Sequence, residues 1–133
     1  MPPLLPSLMT ALALLFYFLI SFNIGRMRVK HQIEAPATIG HPEFERAFRV
    51  QQNTLEQIVF FLPSLWLFTL TVSADWAAAL GALWLVGRII YAQSYYRDPT
   101  ARHPGFLIGL AASLTLLTGA IIAIILALLR AAS

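Results

Sequence analysis

Two stretches of this sequence, residues 2–25 and 104–129, hold no charged side chain over 24 and 26 positions. At about 1.5 Å of rise per residue each helix would reach roughly 36 Å or more, enough to cross a hydrocarbon core of about 30 Å. Backbone groups in lipid must be satisfied internally, so such stretches can only fold as helices. Two less uniform segments lie between them. The 133 residues are 59% hydrophobic and 11% charged, too apolar for a soluble domain and too few for a second folded unit. The expectation is an all-α integral membrane protein, one domain over residues 1–133. It is a four-transmembrane-helix bundle with spans at about 4–25, 43–72, 76–96 and 104–129.

The connections support this division. Pro36, Gly40 and Pro42 lie among polar residues and suit a loop, residues 73–75 form a short polar connection, and residues 97–103 form a polar turn. The first span lacks a basic segment ahead of it and a convincing cleavage site, and reads as a retained signal-anchor. Pro63 removes one backbone donor from the second span, where a kink is expected. Gly105 and Gly109 form a small-xxx-small pair that suits close helix approach. Alternating the four spans puts eight of the nine basic residues, all but Arg130, on one side. The positive-inside rule makes that side cytoplasmic, with both termini and Asp75 opposite.

The same charge pattern excludes other classes. The net charge of +3 is scattered among hydrophobic spans and forms no solvated basic arm, so nucleic-acid binding is not expected. With no cysteine there is no disulfide framework, thiolate metal site or cysteine nucleophile, and any sulfur chemistry needs a sulfur supplied by a ligand. His31, His41 and His103 lack ligand spacing, and no metal is assigned.

Charge inside the second and third spans is the functional signal. A helix turns about 100° per residue, which places Asn53 about 40° and Glu56 about −20° from Arg49, along one stripe. Arg88, Tyr91 and Tyr95 share a face of the third span in the same way. Ionisable residues at membrane depth face protein, water or a polar ligand and mark a functional site by default. Arg28, Arg49, Arg88 and Arg102 offer guanidinium forks for carboxylates, and Glu56 suits an ammonium. Gln51 and Asn53 match amides, and Tyr91 and Tyr95 donate phenolic hydrogen bonds. Together they describe a site for a small zwitterionic peptide beside a lipid-facing surface. The same pattern is also satisfied if Arg49 and Glu56 neutralise each other, and if Tyr91 and Tyr95 belong to an interfacial aromatic belt.

The run PEFERAFRVQQNTLE from Pro42, the run WLVGRIIYAQSYY from Trp84 and the arginine at 102 resemble the MAPEG family, membrane-associated proteins in eicosanoid and glutathione metabolism. The match covers about the central half of the chain, and its details are most similar to the microsomal glutathione S-transferase type 3 branch. The resemblance implies a homotrimer of four-helix subunits with glutathione, the co-substrate, bound in clefts between neighbours and open towards the cytoplasm. It assigns Arg49, Gln51, Asn53, Glu56, Tyr91 and Tyr95 to holding the tripeptide, and Arg28 to one of its carboxylates. Arg88 belongs to the same binding set, and Arg102 is the catalytic residue that stabilises the thiolate. Hydrophobic electrophiles would enter from the bilayer.

Two departures narrow the expectation. Gln57 follows the motif glutamate where some relatives have tyrosine, and Val29 stands where they have a second arginine. Leukotriene synthesis is therefore disfavoured relative to a general transferase or glutathione-dependent peroxidase. A non-catalytic lipid-presenting protein of the same architecture and a small multidrug exporter are the rival readings. The exporter would need an acidic residue in the first span, which has none.

Overall fold

The structure is a computed structural model that describes residues 2–133. It contains α1 (Leu4–His31), α2 (Pro42–Thr71), α3 (Ala74–Arg97), a 3-10 turn (Pro99–Arg102) and α4 (His103–Ala132). All four α-helices are long and apolar enough to cross a membrane, and the chain is an integral, multi-pass membrane protein.

The helix ends follow local chemistry. His41 Nδ1 accepts the Glu43 backbone N–H at 3.1 Å, and Pro42 occupies the first turn of α2 beside Glu43 and Glu45, where acidic groups favour the helix N-terminus. Ser73 Oγ accepts from the Trp76 N–H at 3.2 Å at the start of α3. Arg46 donates to the Tyr96 and Arg97 carbonyls, at 3.3 and 3.2 Å, and so closes the far end of α3. Helix α1 continues past the expected end at residue 25 to His31, because loss of hydrophobicity marks a membrane boundary and not a helix end. Its last turn carries Arg28, Lys30 and His31, favourable charges for a C-terminus. Helix α2 is continuous through Pro63.

Helices α2 and α3 form the centre, and α1 and α4 each pack on both. The membrane-buried core is built on the Phe61 and Trp84 rings, stacked 4.0 Å apart, with Leu65, Ala112, Leu116 and Ala120 around them. Helices α3 and α4 meet backbone to backbone, as the glycine pair implied. A Cβ on Gly87 would fall 2.8 Å from the Gly109 nitrogen, and one on Gly105 would overlap the Tyr91 backbone. This approach brings the start of α4 against Tyr91.

Candidate functional site

At the loop end of the bundle, a cavity of about 290 Å³ opens between α2, α3 and the start of α4. Asn53, Glu56 and Gln57 line it from α2, Arg88 and Tyr91 from α3, and Arg102, His103 and Phe106 from the turn and α4. Five of the nine expected site residues, Asn53, Glu56, Arg88, Tyr91 and Arg102, therefore share one space.

Four of these are held by their neighbours. Asn53 Nδ2 donates to the Tyr91 hydroxyl, and Arg88 Nη2 donates to Thr54 Oγ1 at 2.7 Å. The Arg88 guanidinium also lies 4.0 Å over the Tyr91 ring, a cation–π contact. Arg102 Nη1 donates to the Pro99 carbonyl at 2.8 Å, so its side chain folds back on the 3-10 turn that carries it. Asp98 starts that turn: its Oδ1 accepts the Thr100 backbone N–H at 3.0 Å, and this bond above all holds the carboxyl below its ordinary pKa.

The remaining expected residues lie elsewhere on the protomer. Arg49 and Tyr95 line a second cavity of about 380 Å³ with Glu45, Arg46 and Pro99. The Tyr91 and Tyr95 rings are 5.7 Å apart, so the two cavities adjoin along α3. Gln51 turns towards α1 and donates to the Tyr17 hydroxyl at 2.9 Å. Arg28 donates to the Ala37 carbonyl at 2.8 Å and lies 4.8 Å over the Phe44 ring, beside the loop of residues 32–41. The helical stripe of Arg49, Asn53 and Glu56 thus spreads over two adjoining cavities. Arg49 and Glu56 do not neutralise each other: among the described residues the salt bridges are Lys30–Glu43 and His31–Glu43.

Sequence reasoning missed Thr54, whose hydroxyl is the acceptor a buried arginine requires; a threonine inside a polar stripe but turned towards the core was the available signal. It missed the Tyr17 partner of Gln51, which no spacing reveals. It also separated histidines that the loop brings together. The His31 and His41 rings stack 3.7 Å apart, and His31 Nε2 lies 3.4 Å from Glu43 Oε2. Ligand atoms of His31, His41 and Glu43 fall within 4.8 Å of one another. Rings stacked this way aim their in-plane lone pairs side by side and not at one ion, His41 Nδ1 is committed to capping α2, and Lys30 occupies Glu43 Oε1 at 3.0 Å. The cluster fastens α1 to α2.

The sequence pattern of the MAPEG family matches residues 6–128, nearly the whole chain. This chain belongs to the MAPEG family. It is 48% identical over 120 residues to an uncharacterized protein of Synechocystis, covering 90% of this chain and 88% of that one. It is 39% identical to microsomal glutathione S-transferase 2 of Mus musculus, covering 78% of this chain and 73% of that enzyme. It is 34% identical to leukotriene C4 synthase of Cavia porcellus, covering 70% of this chain and 62% of that protein. The family expected from the resemblance and its four-helix membrane frame are thereby established.

Proposed function

We propose that this MAPEG protein is a membrane-bound glutathione transferase that binds glutathione at the loop end of the bundle and activates its thiol as a thiolate. The observation that carries the reading is the convergence of Arg88, Arg102, Glu56, Asn53 and Tyr91 on one cavity beside the membrane-spanning core. Arg88 suits a peptide carboxylate and Glu56 its ammonium, which leaves the Arg102 guanidinium for the thiolate. The names of the transferase relatives point the same way.

In this reading Arg102 is the catalytic residue. A thiol attacks as its anion, and each pKa unit by which a nearby cation lowers it represents about 1.4 kcal/mol of differential stabilisation. The thiol proton leaves to water, and the thiolate forms a C–S bond at an electrophilic carbon as the leaving group departs with its electron pair. Against a lipid hydroperoxide it would instead attack oxygen, breaking the O–O bond. The alcohol is released, and a second glutathione completes the disulfide and water.

The cavity of about 290 Å³ and its neighbour of about 380 Å³ are each of the order of a small-molecule site, about 300–1,000 Å³. Arg28 and Gln51 lie on the α1 side of the bundle, whereas the cavity opens on the α4 side. A closed ring of heterologous contacts would set one face against the other, which fits sites completed between subunits; the homotrimer follows from the family resemblance and the cytoplasmic side from the placement of the basic residues.

The test is glutathione itself. A titration should raise the Tm of the purified protein progressively, as expected when ligand binds the folded state alone. Conjugation of chlorodinitrobenzene should be present in the wild type and fall by about 100-fold in Arg102→Ala. Equal rates in both would remove Arg102 from the chemistry, and binding without turnover in the wild type would favour a lipid-presenting role.

A further inference from the structure

A buried guanidinium is costly unless its charge and donors are met. Arg88 is 1% exposed, and the salt bridges among the described residues do not include it. Its side-chain hydrogen bond goes to Thr54, itself 0% exposed, and its Nε has no partner. Cδ lies against Gly109 of α4, at 3.7 Å from where a Cβ would stand, so the stem is confined, and Arg88 is among the residues that line the cavity. Thr54 adjoins Asn53, whose amide holds Tyr91. Neighbouring residues of α2 therefore grip Arg88 and Tyr91, and the tyrosine ring supports the guanidinium.

We infer that Thr54 is a positioning residue for the anion site: its hydroxyl fixes the Arg88 guanidinium in the orientation that receives an anionic group of the substrate. The inference rests on the proposed glutathione chemistry for the identity of that anion. The Thr54–Arg88 pairing itself does not depend on it. Without the hydroxyl the guanidinium loses its fixed acceptor, and ordering it is charged to each binding event.

The experiment compares wild type, Thr54→Val and Thr54→Ser. Thr54→Val keeps the volume and branching while deleting the hydroxyl, and Thr54→Ser keeps the hydroxyl. Thr54→Val should raise the KM for glutathione about tenfold with a smaller change in kcat, and Thr54→Ser should restore most of the loss. A Thr54→Val enzyme with wild-type KM, or a Thr54→Ser enzyme equally impaired, would overturn the inference. The second arm needs no activity: Tm is measured for Thr54→Val alone, Arg88→Met alone and the pair. A Tm loss from Thr54→Val that vanishes beside Arg88→Met supports the pairing. The same loss in both backgrounds assigns Thr54 to packing alone and overturns it. If wild-type protein neither binds nor turns over glutathione, the transferase reading fails, and the Tm cycle still decides whether Thr54 holds Arg88.

Discussion

The candidate residues at the mouth of α2, α3 and α4 and those at the end of α1 are held in opposite ways. Arg88 and Tyr91 are buried and tied to α2 by side-chain hydrogen bonds that cross between helices. Arg28, in the last turn of α1, bonds to the Ala37 carbonyl of the loop that follows, beside exposed Val29 and Glu34. The first group is pre-arranged by the fold of one protomer, so its cost is met on folding. Arg28 is held by a carbonyl of an exposed loop and by the Phe44 ring, so more of its ordering cost falls on binding. The split teaches that the bundle of one protomer brings Asn53, Glu56, Arg88, Tyr91 and Arg102 to one cavity and leaves Arg28 and Gln51 outside it; their addition by a neighbouring subunit is the part the proposal supplies.

The sharpest way to break the comparison is Arg88→Met. Replacing a buried cation by an apolar side chain of similar length should leave Tm unchanged or raised, while glutathione conjugation falls by about 100-fold. Thermal unfolding and steady-state kinetics on one preparation separate the two, and a joint collapse of both would show Arg88 to be structural.

Gly105→Ala tests whether the α3–α4 approach creates the mouth. A Cβ there meets the Tyr91 backbone, which cannot yield as a flexible side chain would, and overpacking of this kind costs about 1–3 kcal/mol. Tm and activity should both fall, and activity should fall in proportion across substrates. Unaltered Tm would show that the helices can separate freely.

Arg28→Ala should be milder, raising the KM for glutathione about tenfold with kcat nearly kept, since it removes uniform binding by a half-buried group at the rim. A lowered kcat with unchanged KM would move Arg28 into the pre-arranged set.

Asp98 gives the smallest expected effect. Its pKa is depressed in the folded protein chiefly by the Thr100 N–H, so the turn's support from this carboxylate is complete above the unfolded value of about 3.9 and is lost as pH falls through the lower folded one. Wild-type kcat should therefore show no Asp98-linked change between about pH 5 and 9. Asp98→Ala should lower kcat severalfold across that whole range by loosening the turn beneath Arg102. A pH–rate measurement on both proteins checks the pair.

The residues most legible in advance were those whose burial in lipid is expensive. Arg88, Glu56 and Asn53 declared themselves by lying inside hydrophobic spans, whereas Arg102, in a polar turn, was singled out only by the family resemblance. Gly105 was legible as one member of a small-xxx-small pair, whereas its contact across the interface, Gly87 of α3, was not paired with it. Thr54, Tyr17 and the His31–His41 stack were not legible, since a threonine or tyrosine in a span is ordinary until its partner on another helix is known.

Hydrophobic length, helical period and charge placement are properties of contiguous sequence, and they determined the membrane class, the four spans and the polar character of α2 and α3. The grouping of Asn53, Glu56, Arg88, Tyr91 and Arg102 on one cavity, with Arg49 and Tyr95 beside it and Arg28 and Gln51 on the far side, was decided by tertiary packing alone. Helical angles place side chains about one axis. Which neighbour each then meets depends on how closely and in what order the helices pack, and here glycine contacts between α3 and α4 make that choice.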